Sequence, residues 1–119
     1  MSGNSNSINI LEKMLDVAAF RHRILASNIA NADTPGYKAR DISFQGELNR
    51  AMANSGSNRG EHNFEVFEVI TTMPNRDGNT VNLNIEMAKI TENTLLYNTA
   101  TSLLAKKINM ARTVLRGIR

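Results

Sequence analysis

Between Ala26 and Lys38 the chain reads Ala-Ser-Asn-Ile-Ala-Asn-Ala-Asp-Thr-Pro-Gly-Tyr-Lys, and a helix that enters this stretch must end in it. Thr34 precedes Pro35, which disfavours α conformation at Thr34. Pro35 and Gly36 then suit the two central positions of a type II turn, whose second residue needs positive φ. Asn28, Asn31 and Asp33 place polar side chains where fraying backbone groups need partners. The expected outcome is a helix, a sharp turn and then Tyr37.

The helix that ends there has a seven-residue apolar repeat. Ile8, Leu11, Leu15, Ala18, His22, Leu25, Ile29 and Ala32 alternate at spacings of three and four, and Met14, Val17 and Ile24 widen the stripe. Ser7 is the expected N-cap, and the helix would be roughly 35 Å long. A second, longer repeat closes the chain. Met87, Ile90, Thr94, Tyr97, Thr101, Leu104, Ile108, Ala111, Leu115 and Ile118 keep the alternation without a skip, as a coiled-coil seam does. Leu96, Ala100, Leu103, Met110 and Val114 run beside it, so the apolar face is broad enough for more than one neighbour.

The middle of the chain has a different character. Ser43 to Met52 predicts a short helix, 54–60 is a flexible linker by composition, and Phe64 to Thr72 is β-branched and aromatic enough for one or two short strands. Such a strand needs a partner. Pro74 to Asn79 is a turn before the last helix. The expected organisation is a disordered tail at 1–7, an N-terminal helix at 8–33, the turn, linker and small β or irregular segment at 34–82, and a C-terminal helix at 83–119. The fold class is mainly α, with the two long amphipathic helices forming an antiparallel coiled-coil-like pair.

A chain of 119 residues can bury a core, but this one has no Trp and only 5% aromatic residues to anchor it. Without cysteine it has no disulfide or Cys-metal framework. Residues 1–7 lack the basic and apolar regions of a cleavable secretory signal, and no apolar run reaches the ~20 residues of a membrane span. The expectation is a protein that is soluble or leaves the cell by a route that does not read such signals, with no membrane insertion.

The net charge of +3 is unevenly placed: Lys106, Lys107, Arg112, Arg116 and Arg119 crowd the end, and no acid follows Glu92. Cations at a helix C-terminus are favoured by the macrodipole, by roughly 0.3–1 kcal/mol each. The alternative is a basic helical module binding nucleic acid or anionic membrane, but no interleaved aromatics or reading motif accompany the cations.

Groups for catalysis are sparse. His22 and His62 have no second ligand at metal spacing. Asn75, Asp77, Asn79 and Glu86 follow the spacing of a calcium loop, yet Thr80 stands where the turn glycine belongs and Asn75 replaces the leading Asp. Ser27 and Asp33 lie near His22 without a nucleophile turn or oxyanion motif. The expectation is no enzyme, no cofactor, no metal, no small-molecule substrate and no nucleic acid.

Asn28-Ile-Ala-Asn-Ala-Asp-Thr-Pro-Gly-Tyr37, followed by Ala39, Arg40, Asp41, Ile42 and Phe44, resembles the signature of the bacterial flagellar rod and hook family, in its proximal-rod form. Asp77-Gly-Asn-Thr-Val-Asn-Leu83, with Glu86, Met87, Thr91, Glu92, Asn93 and Tyr97, is similar to the lead-in to that family's C-terminal helix. The stretch 50–75 is short for the family. The resemblance implies a structural subunit of the proximal rod, the drive shaft of the flagellum, exported unfolded by the flagellar type III apparatus to the periplasmic space. Terminal helices would polymerise around an axial channel with copies of the chain and other rod proteins, next to ring and export-gate proteins. The residues it singles out are the signature turn, Asn28, Asn31, Thr34, Pro35, Gly36 and Tyr37, and an assembly seam of Leu11, Leu15, Leu25, Ile29, Met87, Ile90, Tyr97, Leu104, Ile108 and Leu115.

Overall fold

The computed structural model describes residues 2–53, 63–70 and 72–117. Helix α1 is Ser2–Ala30, strand β1 Arg40–Asp41, helix α2 Phe44–Ala53, strand β2 Phe67–Glu68 and helix α3 Leu83–Gly117. The molecule measures 68 × 28 × 18 Å, with a radius of gyration of 18.2 Å. A compact chain of this length has about 13–14 Å, so this is an elongated body. Its long axis is the antiparallel pair of α1 and α3, and the middle segment packs on the side.

Helix α1 starts at Ser2, not at Ile8, and Ser7 lies inside it instead of capping it. The expected disordered tail is therefore helical from Ser2 onward. Once the apolar face beyond Ile8 is docked, each further residue adds a hydrogen bond without a new nucleus, and no proline stops it. At the other end the helix tightens through Ala32 N–H to Ile29 O (3.2 Å) and Thr34 N–H to Asn31 O (3.0 Å). Gly36 then has φ 74° and Tyr37 N–H reaches Thr34 O at 3.2 Å, the type II turn that Pro-Gly predicts.

The expected short helix is α2, capped by Ser43, whose Oγ accepts from Gly46 N–H at 3.1 Å. Among the described residues of 64–72 the strand is Phe67–Glu68, and its antiparallel partner is Arg40–Asp41, with Arg40 opposite Glu68 and Asp41 opposite Phe67. Val69 N–H to Ala39 O, 2.8 Å, extends the ladder. Phe64 stacks on Phe20 of α1 with ring centroids 4.1 Å apart. Glu47 of α2, buried, accepts from Glu65 N–H at 2.9 Å, which ties α2 to the β2 segment. The predicted linker at 54–60 lies outside the described residues.

Leu11, Val17, Ala18 and Leu25 of α1 form the core with Ala39, Ile42 and Ala100. From α3 the buried row is Glu86, Asn93 and Ala100, spaced by seven and one position behind the predicted seam. Ile90 and Leu104 are half-buried, whereas Met87, Tyr97, Ile108 and Leu115 are exposed, Met87 by 57% and Leu115 by 69%. The intramolecular face of α3 is therefore mostly polar or small. Two of its three buried side chains carry hydrogen bonds to α1, which fixes the rotation of the helix more tightly than apolar contact does. The apolar rows are left facing outward.

Candidate functional site

The two sequence signatures, about forty residues apart, interlock. Gly36 N–H donates to Asp77 O at 2.8 Å, and Thr80 N–H donates to Tyr37 O at 3.0 Å. Thr80 Oγ1 accepts from Ala39 N–H at 2.8 Å, and Lys38 Nζ donates to Gly78 O. Asn79, buried, donates through Nδ2 to both Asn31 O (2.9 Å) and Thr34 O (2.8 Å), so it adds a second donor to two carbonyls of the turn that follows α1. Its Oδ1 accepts from Val81 N–H at 2.7 Å. The turn that presents it is built by Asn75, whose Oδ1 accepts from Asp77 and Asn79 N–H groups at 2.9 and 3.0 Å.

Gly36 and Gly78, both at positive φ, meet at this clasp: a Cβ on Gly78 would lie 3.6 Å from Gly36 Cα. At Gly36 itself the space is open, so substitution there tests backbone conformation alone. Gly36→Val should cost about 1–2 kcal/mol, read as a lower urea midpoint with unchanged slope. An unchanged midpoint would remove positive φ from the account of the turn.

Beneath the clasp is Asn28, fully buried. Its Nδ2 donates to Arg40 O (2.7 Å) and Glu86 Oε2 (2.9 Å), and its Oδ1 accepts from Arg40 N–H (3.0 Å) and from Tyr37 OH at 3.4 Å. One amide thus satisfies both backbone groups of Arg40 and joins α1, β1 and α3. Asn31 bonds locally, donating to Ser27 O at 2.8 Å and accepting from Thr34 Oγ1 at 3.0 Å. Ser27 Oγ lies 3.2 Å from Tyr37 OH.

One helical turn further along, Asp41 is held by two cations. Arg21 donates from Nε to Oδ1 (2.9 Å) and from Nη2 to Oδ2 (3.1 Å), and Lys89 Nζ is 3.4 Å from Oδ2. Burial on its own raises the Asp41 carboxyl, but the Arg21 hydrogen bond, the Ile42 N–H and the charges of Arg21 and Lys89 together hold it below the usual carboxylate range. The same hydrogen bond, working against burial, raises the Arg21 guanidinium. An acid with a depressed folded pKa stabilises the fold above its unfolded value, about 3.9, and loses that contribution as the pH falls through the folded value. Asp41→Asn keeps one acceptor for Arg21, so it should cost about 2 kcal/mol at neutral pH, and the difference from wild type should shrink below pH 4. A constant difference in urea melts at pH 7 and pH 3 would sink this account.

Asn93 lies midway along the helix pair, and its Nδ2 donates to Ala18 O at 2.8 Å while its buried Oδ1 has no partner. Of the side chains weighed for calcium, Asn75 and Asn79 are engaged in the turn and Glu86 with Asn28. Among the described residues no cluster of His, Cys, Asp and Glu has the makings of a metal site, and His22 is exposed.

The structure brings all six predicted turn residues together with Asn79, Thr80 and Glu86. It does not bring the predicted seam residues of α3 onto α1 as one row. Sequence reading gave no role to the Arg21–Asp41–Lys89 cluster or to Asn93. For Glu86 and Asn93 a signal existed, a seven-residue spacing of polar residues beside an apolar row. What the arrangement does is lock the angle at which the middle segment leaves the helix pair.

A family model described as flagella basal body rod protein matches residues 18–38, the second half of α1 and the turn. Over whole chains, the sequence is similar to the flagellar basal body rod protein FlgB of Cereibacter sphaeroides, 35% identical over 98% of this chain and 99% of that one. The FlgB proteins of Salmonella typhimurium and Escherichia coli K12 are each 32% identical, over 93% of this chain and 94% of theirs. The Salmonella alignment runs over 129 positions, more than this chain has residues, so that relative carries residues absent here.

Proposed function

The chain belongs to the FlgB family of flagellar basal body rod proteins, and from that premise we propose that it builds the proximal rod by packing its terminal helices against those of neighbouring subunits around the export channel. It is a structural component of the flagellar basal body and works without catalysis. Its partners are copies of itself, other rod proteins, and the ring and export-gate proteins at the base. It reaches the periplasmic space through the flagellar type III apparatus, a passage suited to a chain without cross-links. Among the described residues, no helix is long and apolar enough to cross a membrane. The alternative of a nucleic-acid or anionic-membrane module has no support from the relatives.

The observation that carries this reading is the outward apolar surface of α3. From Thr101 to Gly117 only Leu104 and Lys107 are partly covered, while Ile108 and Leu115 of the proposed seam stay exposed. The antiparallel register, Asn28 at Glu86 and Ala18 at Asn93, puts the start of α1 level with about residue 109, so the last turns of α3 run past α1, their one helical neighbour among the described residues. An apolar face of this kind requires a partner.

The test is deletion of the gene in its native host, with purified basal bodies inspected by electron microscopy. Rings without a rod, restored by the intact gene but not by a copy lacking residues 83–119, are expected. Complete rods in the deletion strain would overturn the proposal.

A further inference from the structure

We propose that Asn93 is a rotation lock, a buried polar side chain that keeps α3 from folding its own assembly seam onto α1; its consequence for assembly rests on the rod-subunit reading. The amide stands where an apolar residue would pack. Asn93 is 1% exposed, its Nδ2 donates to Ala18 O at 2.8 Å, and its Oδ1 finds no partner among the described residues. A mid-helix carbonyl such as Ala18 O has a ladder partner of its own, so the bond fills no acceptor that would otherwise be empty. A buried acceptor left unpaired lowers stability. Asn93 therefore weakens the pair in which it sits, and what it supplies is direction, because the bond forms at one rotation of α3.

The competing rotation is close. Helix α1 sits astride the row Glu86, Asn93 and Ala100, with Ile90 and Leu104 half-buried on one flank and Lys89 and Leu96 half-buried on the other. At 3.6 residues per turn, Ile90 and Tyr97 lie about 40–60° round the helix from Asn93. A roll of that size would carry Ile90, Tyr97, Leu104 and Ile108 over α1 and withdraw Asn93 and Ala100. It buries more apolar surface, since Tyr97 is 42% and Ile108 40% exposed as the chain stands, and the departing residues are an amide and an alanine. The seam that periodicity predicts is thus the alternative packing of the same two helices. A chain that adopted it would hide part of the face it offers a neighbour.

Three polar ties oppose the roll. Glu86 with Asn28 and Lys89 with Asp41 hold the first turns of α3 near the clasp. Asn93 lies beyond both, and α3 continues to Gly117. Of the three ties it is therefore the one placed to set the rotation of the rest of the helix. A polar residue in a helical seam selects one packing at a cost in stability, and the packing selected here leaves the apolar row outside.

The chain has no cysteine, so single thiols at positions 97 and 100 report the rotation from opposite sides. In the purified full chain, Tyr97→Cys at an exposed position should react rapidly with a maleimide and Ala100→Cys at a buried one slowly. Adding Asn93→Leu, which has the same branching without the amide, should slow the thiol at 97 and speed the thiol at 100, each by about fivefold, and should raise the urea midpoint. Simple tightening or loosening of the pair would move both thiols in the same direction, so the reciprocal change is the signature of a roll. Asn93→Ala, which removes the amide without adding bulk, should give the same reciprocal change. Rates that stay constant or move together in both variants overturn the lock, as does a lower midpoint for Asn93→Leu. In the native host Asn93→Leu should reduce motility although its chain is more stable. Full motility beside a reciprocal change in the thiols would overturn the link between rotation and assembly, whereas a host that makes rods without the gene rejects the rod reading and leaves the thiol result standing.

Discussion

Asn28→Ala is expected to destabilise the chain by about 3–4 kcal/mol, a large share of the ~5–15 kcal/mol that holds a domain together. The alanine removes every partner that the amide supplies to Arg40 N–H, Arg40 O and Glu86 at once. Each buried group left unpaired costs about 1–3 kcal/mol, and the carboxylate of Glu86 is the most costly because its charge stays buried. Urea melts followed by circular dichroism should show the loss. Asn31→Ala, in the same signature, is the comparison: its bonds are exposed and lie within one helical turn, so it should cost less than about 1 kcal/mol. Asn28→Asp sharpens the test. It keeps the acceptor for Arg40 N–H but replaces the donor to Arg40 O and Glu86 with a carboxylate oxygen, so it should cost at least as much as the alanine. Equal, small effects at both asparagines would show that the buried knot adds nothing to stability.

The contrast between these two asparagines shows where sequence reading stops. Pro35-Gly36 announces its own conformation because the chemistry of a turn is confined to four residues, and the structure gives Gly36 the required φ. The two long helices are equally legible, since periodicity is a local property. Asn28 and Glu86, by contrast, are 58 residues apart, and nothing local in either distinguishes a buried contact from a solvated side chain. The partner of β2 was hidden for a different reason: Arg40–Asp41 is a two-residue polar strand, too short for any alternation to show.

The face of α3 is the most instructive difference. Periodicity locates an apolar stripe but does not say whether the same chain or a neighbour covers it. Here the fold gives α1 the polar row of Glu86 and Asn93 and withholds Met87, Tyr97, Ile108 and Leu115. An intramolecular seam with an unpartnered amide oxygen at Asn93 is not the tightest packing this sequence allows. It does fix rotation and register, as a polar residue in a helical seam can, and that rotation aims the apolar rows outward. The clasp of signature turns has the same consequence at the other end, because it locks the start of α3 against the end of α1 and leaves the terminal turns projecting.

The paired replacement Ile108→Asp with Leu115→Asp should therefore abolish rod assembly while leaving the isolated chain folded. Both side chains are exposed, so removing them takes little from the core. The acids cost about 0.3–1 kcal/mol each through their position near the helix C-terminus, and the monomer should still melt cooperatively. In the packing proposed above, the same two positions face a neighbour. Burying an Ile and a Leu there contributes about 1.5–3 kcal/mol each, and an unpaired carboxylate in their place reverses the sign. Every subunit carries the change, so the defect repeats at each contact and the host should be non-motile, with rings but no rods. Asn109→Asp with Thr113→Asp adds the same charge in the same turns on the opposite side of the helix. Motility should survive that change if the effect belongs to one face. A motile Ile108/Leu115 variant would place the assembly contacts on another surface of α3, and loss of motility in both variants would assign the defect to charge near the C-terminus instead of to the seam.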